Sequence, residues 1–179
     1  SSDKDFFQLC DDKTIGYRPT QKEILNKYSI TEKYGIHPNN FALARAIVGD
    51  PSDNLKGIRG AGLKTISKRF SFMGEETDYL LEDILECCNG VEKPLLIHKR
   101  ILNNVGLIKK NYSLMQLYSP SLSPTVKSRV NYILENMEMN FNLTEMRKMM
   151  VIDGFGEWDN SDLTIAMRKV VASSSKDVK

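Results

Sequence analysis

Three glycines in six positions, Gly57-Ile58-Arg59-Gly60-Ala61-Gly62, constrain the fold of this chain more tightly than any other run. They separate a helical pattern that ends at Val48 from one that begins near Leu63, so the backbone between two helices must bend sharply and can take positive φ. Ile58 and Leu63 flank the bend as apolar anchors. A helix over 63–70 would leave its first N–H groups facing whatever lies against the glycines, an arrangement suited to a phosphodiester. The run is not a nucleotide P-loop, whose glycine and Gly-Lys-Ser/Thr stand at a different spacing, and no strand precedes it as a dinucleotide fingerprint requires. A helix–hairpin–helix that holds the DNA backbone fits best.

Two acidic motifs lie upstream of the bend. In Ser2-Asp3-Lys4-Asp5 the carboxylates at i and i+2 fall on one side of an extended segment and can approach one cation, although exposed Asp-x-Asp is also common in plain loops. Phe6-Phe7 interrupts the run and excludes a calcium loop of the EF-hand kind. In Gly49-Asp50-Pro51-Ser52-Asp53-Asn54, Pro51 restricts Asp50 and stops the preceding helix, so Asp50 and Asp53 should span a tight turn at its end. Simple turn chemistry at a helix stop is the other reading.

Charge is segregated, although the net charge is only +2. From Asn54 to Gly74 every charge is basic (Lys56, Arg59, Lys64, Lys68, Arg69), and from Glu75 to Glu92 every charge is acidic. Acids are then absent up to Leu134, where the stretch carries Lys93, Lys99, Arg100, Lys109, Lys110, Lys127 and Arg129. Solvated faces would give such blocks, and so would a surface facing a polyanion. With 179 residues and 41% apolar content the chain can form a core without disulfides. Cys10, Cys87 and Cys88 are an odd set that reads as reduced thiols of a cytoplasmic protein. No apolar run approaches a membrane span, and no secretory signal is present. The chain opens at Ser1 without methionine and reads as part of something longer, or as a trimmed product.

Elsewhere helical periodicity dominates, and the fold class is mostly α. Pro38 stands at a first helical position before Phe41, Ala44, Ile47 and Val48. Thr77 is predicted to cap a helix with the stripe Leu80, Leu81, Ile84, Leu85 and Cys88. Ile101, Leu102 and Val105 continue the pattern to about Gly106. Ser123-Pro124 opens a helix through Val126, Val130, Ile133, Leu134 and Met137, Asn142 with Glu145 resembles a capping box, and Ser161 opens the last helix. A strand is expected at Thr14–Tyr17 and little else. Five methionines between Met137 and Met150 read as gap-filling core, with a pliable docking surface as the alternative. His37 and His98 read as surface or capping residues, and Trp158 as pinning the last helix, base stacking being its other reading.

The order and spacing of Ser2-Asp3-Lys4-Asp5-Phe6, Gly49-Asp50-Pro51-Ser52-Asp53-Asn54 and Gly57-Ile58-Arg59-Gly60-Ala61-Gly62-Leu63-Lys64-Thr65 resemble the 5′-nuclease superfamily, which holds flap endonucleases, the 5′-nuclease domain of DNA polymerase I and bacteriophage 5′→3′ exonucleases of RNase H type. Tyr34-Gly35-Ile36 before the Pro38 helix, and more loosely 111–117, share the likeness. The resemblance implies the C-terminal part of an α/β PIN-like 5′-nuclease fold. It divides the chain into a remnant of the nuclease core over 1–37, a helix–three-turn–helix (helix–hairpin–helix) element over 38–70, a helical region over 71–172 and a disordered tail over 173–179. It further implies a structure-specific hydrolase of DNA or RNA–DNA phosphodiesters, used in DNA replication and repair, with phage origin and a host-cell cytoplasmic location favoured by the length.

By position the resemblance makes Asp3, Asp5, Asp50 and Asp53 catalytic carboxylates and ligands of two Mg²⁺ or Mn²⁺ ions. It makes Gly57, Ile58, Arg59, Gly60, Gly62, Lys64, Thr65 and Lys68 the duplex anchor, with K⁺ at the hairpin. The family's other carboxylates, its arch over the single strand and its phosphate clamp all lie before the matching segment. The expectation is therefore a chain that binds duplex or branched DNA and cleaves it only with an N-terminal complementing half. A non-catalytic helix–hairpin–helix module that binds duplex DNA is the alternative.

Overall fold

A computed structural model describes residues 3–119, 122–137, 141–155, 159 and 161–174. Ser2, Trp158 and the tail beyond residue 174 lie outside the described residues. The chain forms two compact units, Ser1–Ser121 and Leu122–Lys179, so a division falls within the 71–172 stretch. Among the described residues it is mostly helical, with a small two-stranded sheet.

The first unit is organised around one helix. A 3₁₀ segment (Lys4–Leu9) leads to an antiparallel pair, β1 (Gly16–Arg18) and β2 (Glu23–Leu25), with Tyr17 opposite Ile24. The strand expected at 14–17 thus sits slightly later and gains a partner. Helix α1 (Lys27–Tyr34) starts on a reciprocal Asn26–Ser29 capping box and stops at Gly35, whose φ of 65° is left-handed. Helix α2 (Pro38–Val48) follows, with the His37 imidazole accepting from the Asn39 N–H at its start. Burial pushes the His37 pKa down, so the ring stays a neutral acceptor at ordinary pH. Phe41, Ala44 and Ile47 on α2 are fully buried. Their spacing turns one stripe into the core, each large side chain contributing about 2 kcal/mol. Phe7 and Tyr34 meet Phe41 at ring separations of 5.4 Å and 5.5 Å, tying the 3₁₀ segment and α1 to α2.

After α2 come a 3₁₀ turn (Pro51–Asp53), α3 (Leu63–Arg69), α4 (Leu81–Gly90), α5 (Leu96–Leu102) and α6 (Val105–Met115), the last packed along α2. Three expectations are corrected here. Thr77 does not cap α4, because the buried Asn40 amide donates to the carbonyls of Met73, Glu75 and Thr77 and its oxygen accepts from the Tyr79 N–H. That clamp holds 73–79 as a loop on α2, and α4 begins only after Leu80, whose N–H is taken by Asp83. Leu80, expected in the stripe, is therefore exposed. The third concerns 96–115, which is two helices, with Gly106 inside the second. Asn103 and Asn104 break the run, and the Asn104 amide turns back onto the Arg100 carbonyl. His98 accepts from the Leu95 N–H, which is the capping role among its two expected ones, and it is buried.

The second unit holds α7 (Pro124–Asn136), α8 (Leu143–Ile152) and α9 (Ser161–Ser174). Ser123 and Asn142 cap α7 and α8 as their sequence implies. Of the five methionines read as gap-filling core, Met137 and Met149 are exposed, Met146 and Met150 are half-buried, and Met139 lies outside the described residues, so no described one is a buried core residue. Among the described residues no helix is long and apolar enough to cross a membrane.

Candidate active site

The 3₁₀ segment at the start of the chain and the loop after α2 meet at a polar recess lined by Asp3, Lys4, Arg45, Asp50, Ser52 and Asp53. Asp3 and Asp5 do not lie on an extended strand. Asp3 is the N-cap of the 3₁₀ segment, its carboxylate accepting from the Asp5 N–H at 2.9 Å, and the Asp5 side chain turns towards α2. Gly49 at φ 78° ends α2, Asp50 caps the next turn, and Asp53 sits one 3₁₀ turn later. Asn54 closes this loop in the left-handed region at φ 57°, a conformation Asn tolerates.

The recess brings one carboxylate oxygen each of Asp5, Asp50 and Asp53 within 4.8 Å of one another. Asp3 lines the same recess but stands outside this trio. Arg45 holds two of the three. Its Nε donates to Asp5 at 2.9 Å and its Nη2 to Asp50, with its own side chain only 9% exposed. The Ser52 hydroxyl and N–H, together with Arg45, hold the Asp50 carboxyl below the usual carboxylate range against partial burial. Sequence reading passed over Arg45. Its signal was a lone cation inside the apolar run 41–48, five residues before Asp50. Three hard oxygens at this separation fit a divalent cation after a small closure, since Mg²⁺ or Ca²⁺ bonds are about 2.0–2.6 Å long.

The same loop continues into the glycine bend. Asp50 and Leu55 exchange both backbone hydrogen bonds at 2.8 Å, and the Ile58 N–H donates to the Ile47 carbonyl at the end of α2. Gly57 lies against that end so closely that a Cβ would stand 1.7 Å from the Val48 carbonyl oxygen. Ile58 is buried and Leu63 packs against the core. Beyond Ile58 the backbone comes to the surface, where Gly60 has φ 84° and a Cβ on Gly62 would meet nothing within 4 Å. The carbonyl of Gly62 accepts from the N–H groups of Thr65 and Ile66 as α3 begins. Arg59, Lys64 and Lys68 are exposed, the two lysines one turn apart on α3, and Thr65 is half-buried. The structure thus separates the glycines. Gly57 serves the packing of the loop on α2, whereas Gly60 and Gly62 present bare backbone to solvent. Arg100 of α5, one of the cations in the basic stretch after Glu92, donates from Nη1 to the Arg59 carbonyl at 2.7 Å.

Comparison with known proteins gives a consistent set of relatives. The chain is 30% identical over 152 residues to a 5′-3′ exonuclease of Buchnera aphidicola, covering 83% of this chain and 49% of that one. It is 35% identical over 101 residues to a thermostable DNA polymerase I of Thermus thermophilus, covering 56% of this chain and 11% of the polymerase. A 5′-3′ exonuclease of Aquifex aeolicus is 37% identical over 65 residues, 36% of this chain and 22% of the relative. The chain thus spans about half the length of the Buchnera relative and about a tenth of the Thermus polymerase. No protein-family model matches the chain, and no solved structure matches it significantly.

Proposed function

Since this chain belongs to the 5′-nuclease superfamily, we propose that it supplies a divalent-metal half-site and a duplex-DNA anchor for hydrolysis of phosphodiesters near 5′ ends. The observation that carries this reading is the convergence of Asp5, Asp50 and Asp53 at the root of the loop whose other end exposes Gly60 and Gly62. One loop thereby couples a cation site to a place where sugar-phosphate backbone can approach. When bound, a divalent ion would stabilise charge on the phosphodiester under attack and make water a better nucleophile. Asp5, Asp50 and Asp53 would hold it, with Asp3 at the rim and Arg45 fixing the orientation of the first two.

Charge balance limits what these residues do alone. Three carboxylates less one guanidinium match one divalent ion, so a two-ion reaction needs further acids. We place these on an N-terminal complementing polypeptide. Addition of such a partner to the 179-residue chain is expected to give Mg²⁺-dependent cleavage of 5′-flap DNA that neither component shows alone. Vigorous cleavage by the chain alone would remove the half-site reading. Asp53→Asn is expected to weaken Mn²⁺ binding about tenfold by titration calorimetry or paramagnetic relaxation, because an amide oxygen carries no charge to balance the ion. An unchanged affinity would take Asp53 out of the site.

The segment from α2 through α3 would act as the helix–hairpin–helix anchor, with Lys64 and Lys68 on successive phosphates. Such contacts position the duplex and carry no base information. Gly62→Val and Lys64→Ala are each expected to weaken duplex binding about tenfold without lowering the melting temperature, and Lys64→Ala to lower the salt slope by about one. Gly62→Val is the cleaner glycine variant, since a side chain at Gly60 would also be strained by its φ of 84°. A K⁺ ion at the hairpin would rely on carbonyls other than that of Arg59, which already accepts from Arg100.

One observation favours the second reading, a non-catalytic DNA-binding module. Arg45 already neutralises Asp5 and Asp50 in part, as structural acids would require. Indifference of the chain to Mn²⁺, with duplex binding intact, would decide for that module.

A further inference from the structure

We infer that Arg100 of α5 is a duplex-binding residue contributed from outside the hairpin, holding the bend in shape with one nitrogen and presenting its remaining donors and charge to a backbone phosphate. The inference rests on the reading of 57–65 as a duplex anchor. Arg100 lies forty-one residues from Arg59, yet its Nη1 donates to the Arg59 carbonyl at 2.7 Å. A Cβ built on Gly60 would stand 3.4 Å from the same nitrogen, so the guanidinium lies beside the bare face of Gly60. That is the stretch of backbone left open for an incoming strand.

The placement is built rather than incidental. Ile97 and Ile101, on the adjoining face of α5, are buried in the core, and the Asn104 amide donates to the Arg100 carbonyl. Arginine carries five N–H donors in a rigid fork, and one hydrogen bond to a carbonyl leaves the others available. Among the described residues no carboxylate lies within ion-pair distance of Arg100, in contrast to Arg45, Lys27 and Lys109. Its charge is therefore uncompensated beside a surface that already offers Arg59, Lys64 and Lys68. A phosphodiester accepts two parallel N–H donors from one edge of a guanidinium, and that is the ligand chemistry the position suits.

The test is duplex binding by the full 179-residue chain as a function of salt, for Arg100→Ala, Arg100→Gln and Arg100→Lys. Arg100→Ala is expected to weaken binding about tenfold near 0.1 M salt and to lower the salt slope by about one, as for the loss of one phosphate contact. Arg100→Gln keeps a donor for the Arg59 carbonyl but no charge, and should lose the same slope with an unchanged melting temperature. Arg100→Lys should retain the slope. Weaker binding with the slope unchanged in both neutral variants would make Arg100 a structural latch only and overturn the inference. Unchanged binding in those variants, while Lys64→Ala and Gly62→Val weaken it, would also overturn it and leave the hairpin anchor standing. Should Lys64→Ala and Gly62→Val be silent as well, the anchor itself falls and this inference with it.

Discussion

Gly57→Ala is expected to destabilise the chain by about 3 kcal/mol, read as a lowered midpoint in urea or a lowered melting temperature. The added methyl would stand 1.7 Å from the Val48 carbonyl oxygen and 2.6 Å from the Gly49 nitrogen. Both are backbone atoms at the end of α2, fixed by the hydrogen bonds from Ile58 to Ile47 and from Gly49 to Arg45. Neither can swing aside as a flexible side chain would, so the loop must lift away from the helix. Asp50 and Asp53 ride on that loop, and the cation site should loosen with it. Gly62→Ala is the control. Its φ is −117° and its surroundings are open, so its stability should stay within about 0.5 kcal/mol of the parent. Equal behaviour of the two variants would show that the loop does not lie on α2 as described.

Arg45→Met is expected to cost about 3 kcal/mol as well, because it leaves Asp5 and Asp50 side by side, 17% and 14% exposed, without their shared cation. The pH dependence follows from the sign of the Asp50 shift. In the parent its carboxyl is held low by Ser52 and Arg45. Its contribution is therefore fully present above the unfolded value of about 4 and is lost as pH falls through the folded pKa. In the variant the neighbouring carboxylate in place of Arg45 favours protonation of Asp50, so acidification towards pH 4 should recover stability relative to the parent. Millimolar Mg²⁺ should do the same at neutral pH, since an ion that binds only the folded state stabilises it. A variant that melts with the parent and ignores Mg²⁺ would mean that Arg45 does not hold these acids together.

Much of the helical architecture was legible in local signals. Pro38 after His37, Ser123 before Pro124 and Asn142 before Glu145 mark helix starts through hydrogen bonds made within one turn, and such bonds depend on neighbours in sequence. The helix expected to start at Thr77 failed because a residue thirty-seven positions away, Asn40, captures the Thr77 carbonyl. Helix α1 carries little apolar periodicity because Tyr28 and other exposed side chains interrupt its apolar face, and its local signal is the Asn26–Ser29 box. The acids that converge in the recess, Asp5, Asp50 and Asp53, were among those the family resemblance picked out by position. Arg45 and Arg100 could not be placed, because their partners are set by how α2 and α5 pack. The apolar stripes of α7 and α8 show the opposite case. Periodicity announces an amphipathic helix, and it does not say whether the apolar face finds a partner.

Gln8 gives the first unit a temporal consequence. Its amide donates to the carbonyls of Asp5 and Met115, and its oxygen accepts from the Leu117 N–H. The segment that carries Asp5 is thereby fastened to the far end of α6, more than a hundred positions downstream. On a ribosome that fastening must wait until residue 117 has cleared the exit tunnel, so the Arg45 and Phe41 contacts of the segment become available to the nascent chain before the Gln8 clamp does.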